Sequence, residues 1–212
     1  MKRSKTSKQW LKEHVDDFYV RRAKSEGYRS RAAYKLIEVA ARDKLLKPGM
    51  VVVDLGAAPG GWSQVARAQL GARGLLVALD VLEMAPLSGV TFIQGDFRDP
   101  VAVRALERVL AGRRIDLVLC DMSPNITGIA VSDQVRAMQL AELALEFAAE
   151  HLKPGGNMLV KVFQGAGFED YLRAMRSHFR SVLTRKPKAS RGRSSEIYLL
   201  GKGYGAGARA AP

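Results

Sequence analysis

The 212-residue sequence predicts an α/β domain built on a mostly parallel, seven-stranded sheet, with helices on both faces and an antiparallel hairpin at one end. Three observations carry that expectation. Short β-branched or apolar runs exchange with stretches of helical periodicity from residue 28 to residue 178, and parallel neighbours need a crossover that is usually helical. Beyond that point the exchange stops, and two strand-like stretches follow one another with no helix between them. Finally, Asp54, Asp80, Asp96 and Asp121 all fall at or near strand ends, where an open α/β sheet holds its ligand.

Taken in order, residues 28–47 place Ala33, Leu36, Ile37, Ala40 and Ala41 at helical spacing, and Pro48-Gly49 ends the pattern. The β-branched run at 51–53, bounded by Pro48-Gly49 and Gly56, predicts a buried parallel strand. A glycine-rich turn leads from it into a helix from Trp62 to Leu70. Strands are expected over 75–80 and 90–96, a helix over 100–111, a strand over 115–121, a helix over 133–151 and a strand over 157–163. After a helix at 167–178, the stretches 181–187 (SVLTRKP) and 195–202 (SEIYLLGK), joined by the basic loop 186–194, predict the hairpin. The whole reads as one domain, residues 1–212, with a basic RNA-binding leader at 1–30 and a loose glycine-rich tail at 203–212.

Composition narrows the function. A chain 47% hydrophobic and 26% charged is neither disordered nor fibrous. Apolar runs are too short for a membrane span, and no secretory segment opens the chain. The lone Cys120 can form no internal disulfide and cannot build a thiolate zinc site, while His14, His151 and His178 lie far apart on different helices. A metal-free protein of the cytoplasm is the expectation. With no exposed apolar stripe evident, a monomer is expected too.

The net charge of +13 is gathered at the ends. Residues 1–48 carry 14 Lys and Arg against 6 Asp and Glu, residues 49–170 carry 10 against 14, and residues 171–212 carry 10 against 1. Two basic ends around an acidic middle suggest a nucleic-acid backbone gripped from the flanks, with Arg21, Arg22, Arg29 and Arg31 read as phosphate contacts separate from any cofactor. A solvated basic surface is the plain alternative.

The turn Asp54–Trp62 (DLGAAPGGW) is small-residue-rich, as a close backbone approach requires. It is neither a dinucleotide fingerprint nor a triphosphate cradle, since G-x-G-x-x-G and G-x-x-x-x-G-K-[ST] are both absent. A nucleoside cofactor without pyrophosphate remains. Asp80, 24 residues after Gly56, is placed as a ribose-hydroxyl acceptor, Asp96 can accept from an adenine amino group, and the negative charge near Asp121 favours a sulfonium. That points to S-adenosylmethionine. Elsewhere, Lys161 interrupts an apolar strand and is either snorkelled or held by carboxylates. Lys35 alone reads as a phosphate contact or solvated charge, and Glu196 alone as a surface partner for an arginine.

The segments RSRAAYKL (29–36), VDLGAAPGGWSQ (53–64), QGDFRD (94–99), CDMSPN (120–125), VKVFQG (160–165) and RSSEIY (193–198) closely resemble, in order and spacing, the bacterial FtsJ family, also called RrmJ or RlmE. These are ribosomal RNA large subunit 2′-O-methyltransferases, and the likeness runs from about residue 10 to residue 200. The resemblance implies a Rossmann-like class I fold dependent on S-adenosylmethionine and a catalytic tetrad of Lys35, Asp121, Lys161 and Glu196, with Lys161 as base. It implies cofactor contacts at Gly60, Trp62, Asp80, Asp96 and Asp121, and a uridine ribose in the A loop of 23S rRNA, within the large ribosomal subunit, as acceptor. Lys35 opposes, while Asp121 and Glu196 favour, a positive charge on Lys161, so whether it abstracts the proton or steers the hydroxyl stays open at this level. The rivals are a 2′-O-methyltransferase of tRNA or another RNA, a non-catalytic RNA-binding assembly factor, and a nicotinamide oxidoreductase, the last opposed by the missing fingerprint.

Overall fold

The computed structural model describes residues 17–125, 127–190 and 194–205, so residues 1–16 of the expected leader, 191–193 of the basic loop and 206–212 of the expected tail lie outside the described residues. Along the chain run α1 (Phe18–Ser25), α2 (Ala33–Asp43), β1 (Val51–Leu55), α3 (Gly61–Leu70), β2 (Leu75–Asp80), β3 (Thr91–Gln94), α4 (Pro100–Leu110), β4 (Ile115–Cys120), α5 (Ala130–His151), β5 (Leu152–Phe163), α6 (Phe168–His178), β6 (Phe179–Arg185) and β7 (Glu196–Tyr204). The seven strands form one sheet in the order β3-β2-β1-β4-β5-β7-β6. Pairs among β1 to β5 are parallel, and β7 is antiparallel to both β5 and β6. The expected hairpin is therefore present, with its second strand inserted beside β5 and its first at the edge.

Alternation along the strands sorts the core into two layers. Val53, Leu55, Val118, Cys120, Val160 and Val162 face α4, α5 and α6. Val52, Leu117, Leu119, Leu159, Tyr198 and Leu200 face α2 and α3. Since side chains two apart share a face, Asp54, Asp121, Lys161 and Tyr198 all belong to the α2/α3 side, and that assignment builds the site.

Several boundaries differ from the sequence reading for visible reasons. The helix expected over 28–47 is Ala33–Asp43, because Lys44 takes the left-handed conformation at its C-cap and Leu45 and Leu46 continue as buried plugs. More than half of the described leader is itself a helix, α1, capped by Asp17 through Tyr19 N–H at 2.9 Å and packed through Ala23 against Tyr34 and Ala189. The strand expected from 157 begins at Leu152, running directly out of α5, with a register irregularity between Ile115 and Leu117. Gly203 and Tyr204, assigned above to a loose tail, belong to β7, where Gly203 N–H donates to Asn157 Oδ1 at 3.1 Å. No helix among the described residues is long and apolar enough to cross a membrane.

The edge strand is tied to the helical layer by one fork. Arg185 of β6 donates through Nε and Nη2 to both oxygens of Asp43 at the end of α2, at 2.7 and 2.6 Å, and holds that carboxyl below its usual pKa range. With both side chains largely covered, Asp43→Ala leaves a guanidinium short of partners. It is expected to lower stability by about 3 kcal/mol in urea unfolding, with Asp43→Ala/Arg185→Ala costing less than the sum of the two single changes.

Candidate active site

The turn after β1 is shaped by two glycines. Gly56 has φ +76°, and a Cβ there would lie 2.7 Å from the backbone of Met122. Gly60, at φ +106° the N-cap of α3, would drive a Cβ to 2.9 Å from Arg29 Nη1 and Met84 Sδ. In α3 the Gln64 amide bonds back to Gly60 O at 2.9 Å, whereas the amides of Gly61, Trp62 and Ser63 have no hydrogen-bond acceptor among the described residues. They leave a donor-rich helix start. Asp80, ending β2, binds the turn itself: Oδ2 accepts from Ala58 N–H at 2.9 Å and Oδ1 from Leu82 N–H at 2.8 Å. Asp96 beyond β3 is held by Arg98, which keeps its carboxyl ionised below the ordinary range. Val81 and Leu82, exposed beside Asp80, add apolar surface to the same rim.

Trp62, which the resemblance places against the cofactor, is placed differently by its side chain. The indole is buried, donates to Ala32 O at 2.8 Å and lies 5.6 Å from the Tyr198 ring, so it is committed to the α2/α3 core. What Trp62 has left to offer a ligand is its main-chain amide.

Lys35, Asp121, Lys161 and Glu196 converge. Lys161 is 8% exposed; its Nζ donates to Asp121 O at 2.6 Å and lies 3.1 Å from Asp121 Oδ1. Lys35 Nζ, from α2, lies 2.7 Å from Glu196 Oε1 and 3.0 Å from Tyr198 Oη. The two halves meet at Tyr198, whose hydroxyl donates to Asp121 Oδ1 at 2.8 Å. Burial, and then the carboxylates of Asp121 and Glu196, push the phenol pKa well up, so it remains a donor. Ser190 Oγ adds a bond to Glu196 Oε1 at 3.0 Å.

Tyr198 is the residue that sequence reasoning missed. Its signal was present: it shares a face with Glu196 at a spacing of two, and register sets it opposite Lys161. The leader arginines need a correction as well. Arg29 donates to Pro59 O (3.2 Å), Ala85 O (2.6 Å) and Pro86 O (2.7 Å), clamping the two loops beside the glycine turn. Arg31 pairs with Asp17 and donates to Ala189 O, and Arg22 pairs with Glu26 at 2.7 Å over the Tyr34 ring. Of the four named, Arg21 alone has no side-chain partner among the described residues. Removing Arg29 therefore disturbs the turn and not a phosphate contact alone. Cys120 is buried, its thiol pushed up to about 12 by burial, and takes no part. The grouping Glu107, Glu150 and His151 lies toward the C-terminal ends of α4 and α5, near the starts of β4 and β5 and so at the other end of the strands from Asp121 and Lys161.

The model of FtsJ-like methyltransferases matches residues 28–204. A Nitrosospira multiformis protein named ribosomal RNA large subunit methyltransferase E is 70% identical over 203 residues, covering 96% of this chain and 98% of the relative. The protein of that name from Chromobacterium violaceum is 60% identical over 96% of this chain and 99% of its own length. Among solved structures, a Plasmodium falciparum chain described as a ribosomal RNA methyltransferase superposes with TM-score 0.75 at 29% identity, covering 84% of this chain and 98% of that one. A Streptococcus mutans methyltransferase fold, crystallised with SAH, follows at TM-score 0.51 and 14% identity over 79% of this chain and 96% of its own.

Beneath the turn, Asp54 is fully buried: Oδ2 accepts from Ser63 Oγ at 2.7 Å, and Oδ1 has no partner among the described residues. Burial, reinforced by Asp121 and Asp80 and opposed by the Ser63 bond, raises its pKa from 3.8 to about 7. A carboxyl whose folded pKa is raised favours the native state fully below its unfolded pKa, and that contribution is lost as pH rises toward the folded value. Asp54→Asn, which cannot ionise, is expected to gain stability relative to wild type as pH rises from about 5 to about 8; urea midpoints across that range check it, and a constant difference would refute it.

Proposed function

The chain belongs to the FtsJ-like methyltransferases, with S-adenosylmethionine as methyl donor, and from that premise we propose that it methylates the 2′-hydroxyl of a uridine ribose in the A loop of 23S rRNA, on the large ribosomal subunit. The observation that carries this reading is the convergence of Lys35, Asp121, Lys161 and Glu196 on Tyr198 beside the glycine turn. Relatives named as large-subunit ribosomal RNA methyltransferases support the choice of RNA. The basic termini support a phosphate backbone as the surface gripped.

The residues present fit the donor. Gly56 and Gly60 let the turn close against Met122, Arg29 and Met84, the first amides of α3 have no acceptor among the described residues, Asp80 and Asp96 supply carboxylates at the end of β2 and beyond β3, and Val81 and Leu82 offer an apolar face. Bound there, S-adenosylmethionine supplies a methyl carbon made electrophilic by its sulfonium, whose sulfur leaves with the bonding electron pair.

The chain's own part is orientation and proton transfer. Lys161 Nζ donates to the Asp121 carbonyl and is held in an ion pair with its carboxylate at 3.1 Å. A ribose hydroxyl set beside Nζ meets, in the neutral amine, a lone pair that accepts the 2′-proton as the C–O bond forms. Fixing Nζ in this way aligns the oxygen before it reacts. Tyr198 donates to Asp121 and receives from Lys35, so Glu196 and Lys35 hold the carboxylate's orientation from a distance. Pro124 is followed by Asn125 and not by an aromatic, which favours a ribose over a base amino group as acceptor.

The test is transfer of labelled methyl from S-adenosylmethionine to large subunits lacking the modification, with the product position read by mass spectrometry. A 2′-O-methylated A-loop uridine is expected; transfer only to tRNA or another RNA would overturn the substrate. Lys161→Ala is expected to lower kcat by at least about a hundredfold with donor binding by calorimetry unchanged. Tyr198→Phe, which cuts the link between the two halves of the tetrad, is expected to lower kcat by about tenfold, and near-normal turnover in it would refute the linking role.

A further inference from the structure

Between the loop after β4, the start of α5 and the loop after β5 lies a cleft of about 450 Å³, well within the size of small-ligand sites. Ser123, Pro124, Val131, Phe163, Gln164 and Ser195 are among its walls. Three of these adjoin the tetrad in sequence: Ser123 follows Asp121 by two residues, Phe163 follows Lys161 by two, and Ser195 precedes Glu196. The cleft lies at the ends of β4 and β5, where Gln164 N–H donates to Ser195 O at 3.1 Å beside the start of β7, whereas Gly60, Asp80 and Asp96 sit over β1, β2 and β3.

That division decides what the cleft can hold. The nucleobase hangs from C1′, the carbon next to the one that bears the 2′-hydroxyl, so a ribose placed at Lys161 brings its base within a few ångströms of the tetrad. With the donor's residues gathered on the β1–β3 side, the cleft is the space left for that base. Its chemistry suits a heterocycle: Pro124, Val131 and Phe163 offer apolar surface, and the side chains of Ser123, Gln164 and Ser195 have no hydrogen-bond partner among the described residues. Gln134 does not compete for this role, because its amide donates to Phe163 O at 3.1 Å and Ala166 O at 3.0 Å, pinning the loop after β5 to α5. Val131 in its wall, and Ile129 and Val135 near it at the start of α5, remain 75%, 65% and 48% exposed, an apolar surface for RNA to cover.

We propose that this cleft is the subsite for the nucleobase of the nucleotide being methylated, with Gln164 hydrogen-bonding the base edge and Val131 and Phe163 contacting its face. A carboxamide carries a donor and an acceptor side by side, as a pyrimidine edge requires. The assignment rests on the RNA-ribose reading given above, and the experiment separates the two.

The acceptor position is first read by mass spectrometry with wild-type enzyme, and that nucleotide is then replaced by 4-thiouridine in reconstituted substrate and photocrosslinked. Crosslinks are expected in the tryptic peptides 115–136 and 162–173; crosslinks confined to other peptides would overturn the subsite. Gln164→Ala and Val131→Asp, both at exposed positions, are each expected to raise KM for the RNA substrate about tenfold with donor affinity unchanged. Unaltered KM in both would also overturn it. Transfer to a different RNA changes the substrate reading alone, since the crosslink follows whichever nucleotide is methylated, and no transfer to any RNA overturns both.

Discussion

Lys161 is a basic side chain inside a sheet, and the arrangement of the site follows from what its burial demands. An unpaired buried charge costs several kcal/mol, so the Nζ has to find acceptors within the protein. Asp121 supplies two, its carbonyl and its carboxylate. That carboxylate is itself partly enclosed and is steadied by Tyr198, which is steadied by Lys35, which is paired with Glu196. The five residues come from four elements: β5, the end of β4, β7 for both Tyr198 and Glu196, and α2. A constraint at one atom thus ties the helical layer to the centre and the antiparallel end of the sheet.

The antiparallel end is what makes this closure possible. A parallel strand next to β5 would present its carboxyl end beside Lys161, at the end of a crossover. β7 runs the other way, so its first residues, Glu196 to Tyr198, lie against Phe163 to Lys161. The sequence feature that broke the regular exchange of strand and helix is therefore the feature that completes the charge network.

The exchange of strand and helix, the parallel strands and the closing hairpin were legible because each is written in a short-range pattern, whereas the grouping of Lys35, Asp121, Lys161 and Glu196 was implied by the family resemblance alone. Alternation in 157–163 gives the face of Lys161, and aspartates at strand ends mark the ligand edge. What stayed hidden depended on long-range partners. Tyr198 was given no role within IYLL, since its hydroxyl has meaning only beside Asp121, 77 residues away. Trp62 has the right position in the turn, yet its indole is claimed by Ala32 O from the preceding layer. The span 28–47 looked continuous because Leu45 and Leu46 keep an apolar pattern after the backbone has left the helix at Lys44.

Charge counting has the same weakness. Fourteen basic residues in the first 48 suggested a uniform RNA grip, but Arg29 and Arg31 spend their guanidinium groups on backbone carbonyls and Asp17, inside the protein. Arginine suits such work because its planar fork spans two loops at once. The clamp by Arg29 lies between Pro59 and Ala85, so it couples the end of the basic leader to the glycine turn. The basic segment and the turn are thereby joined by hydrogen bonds of 2.6 to 3.2 Å. A net charge alone cannot say which of a molecule's cations face a partner and which hold its own loops together.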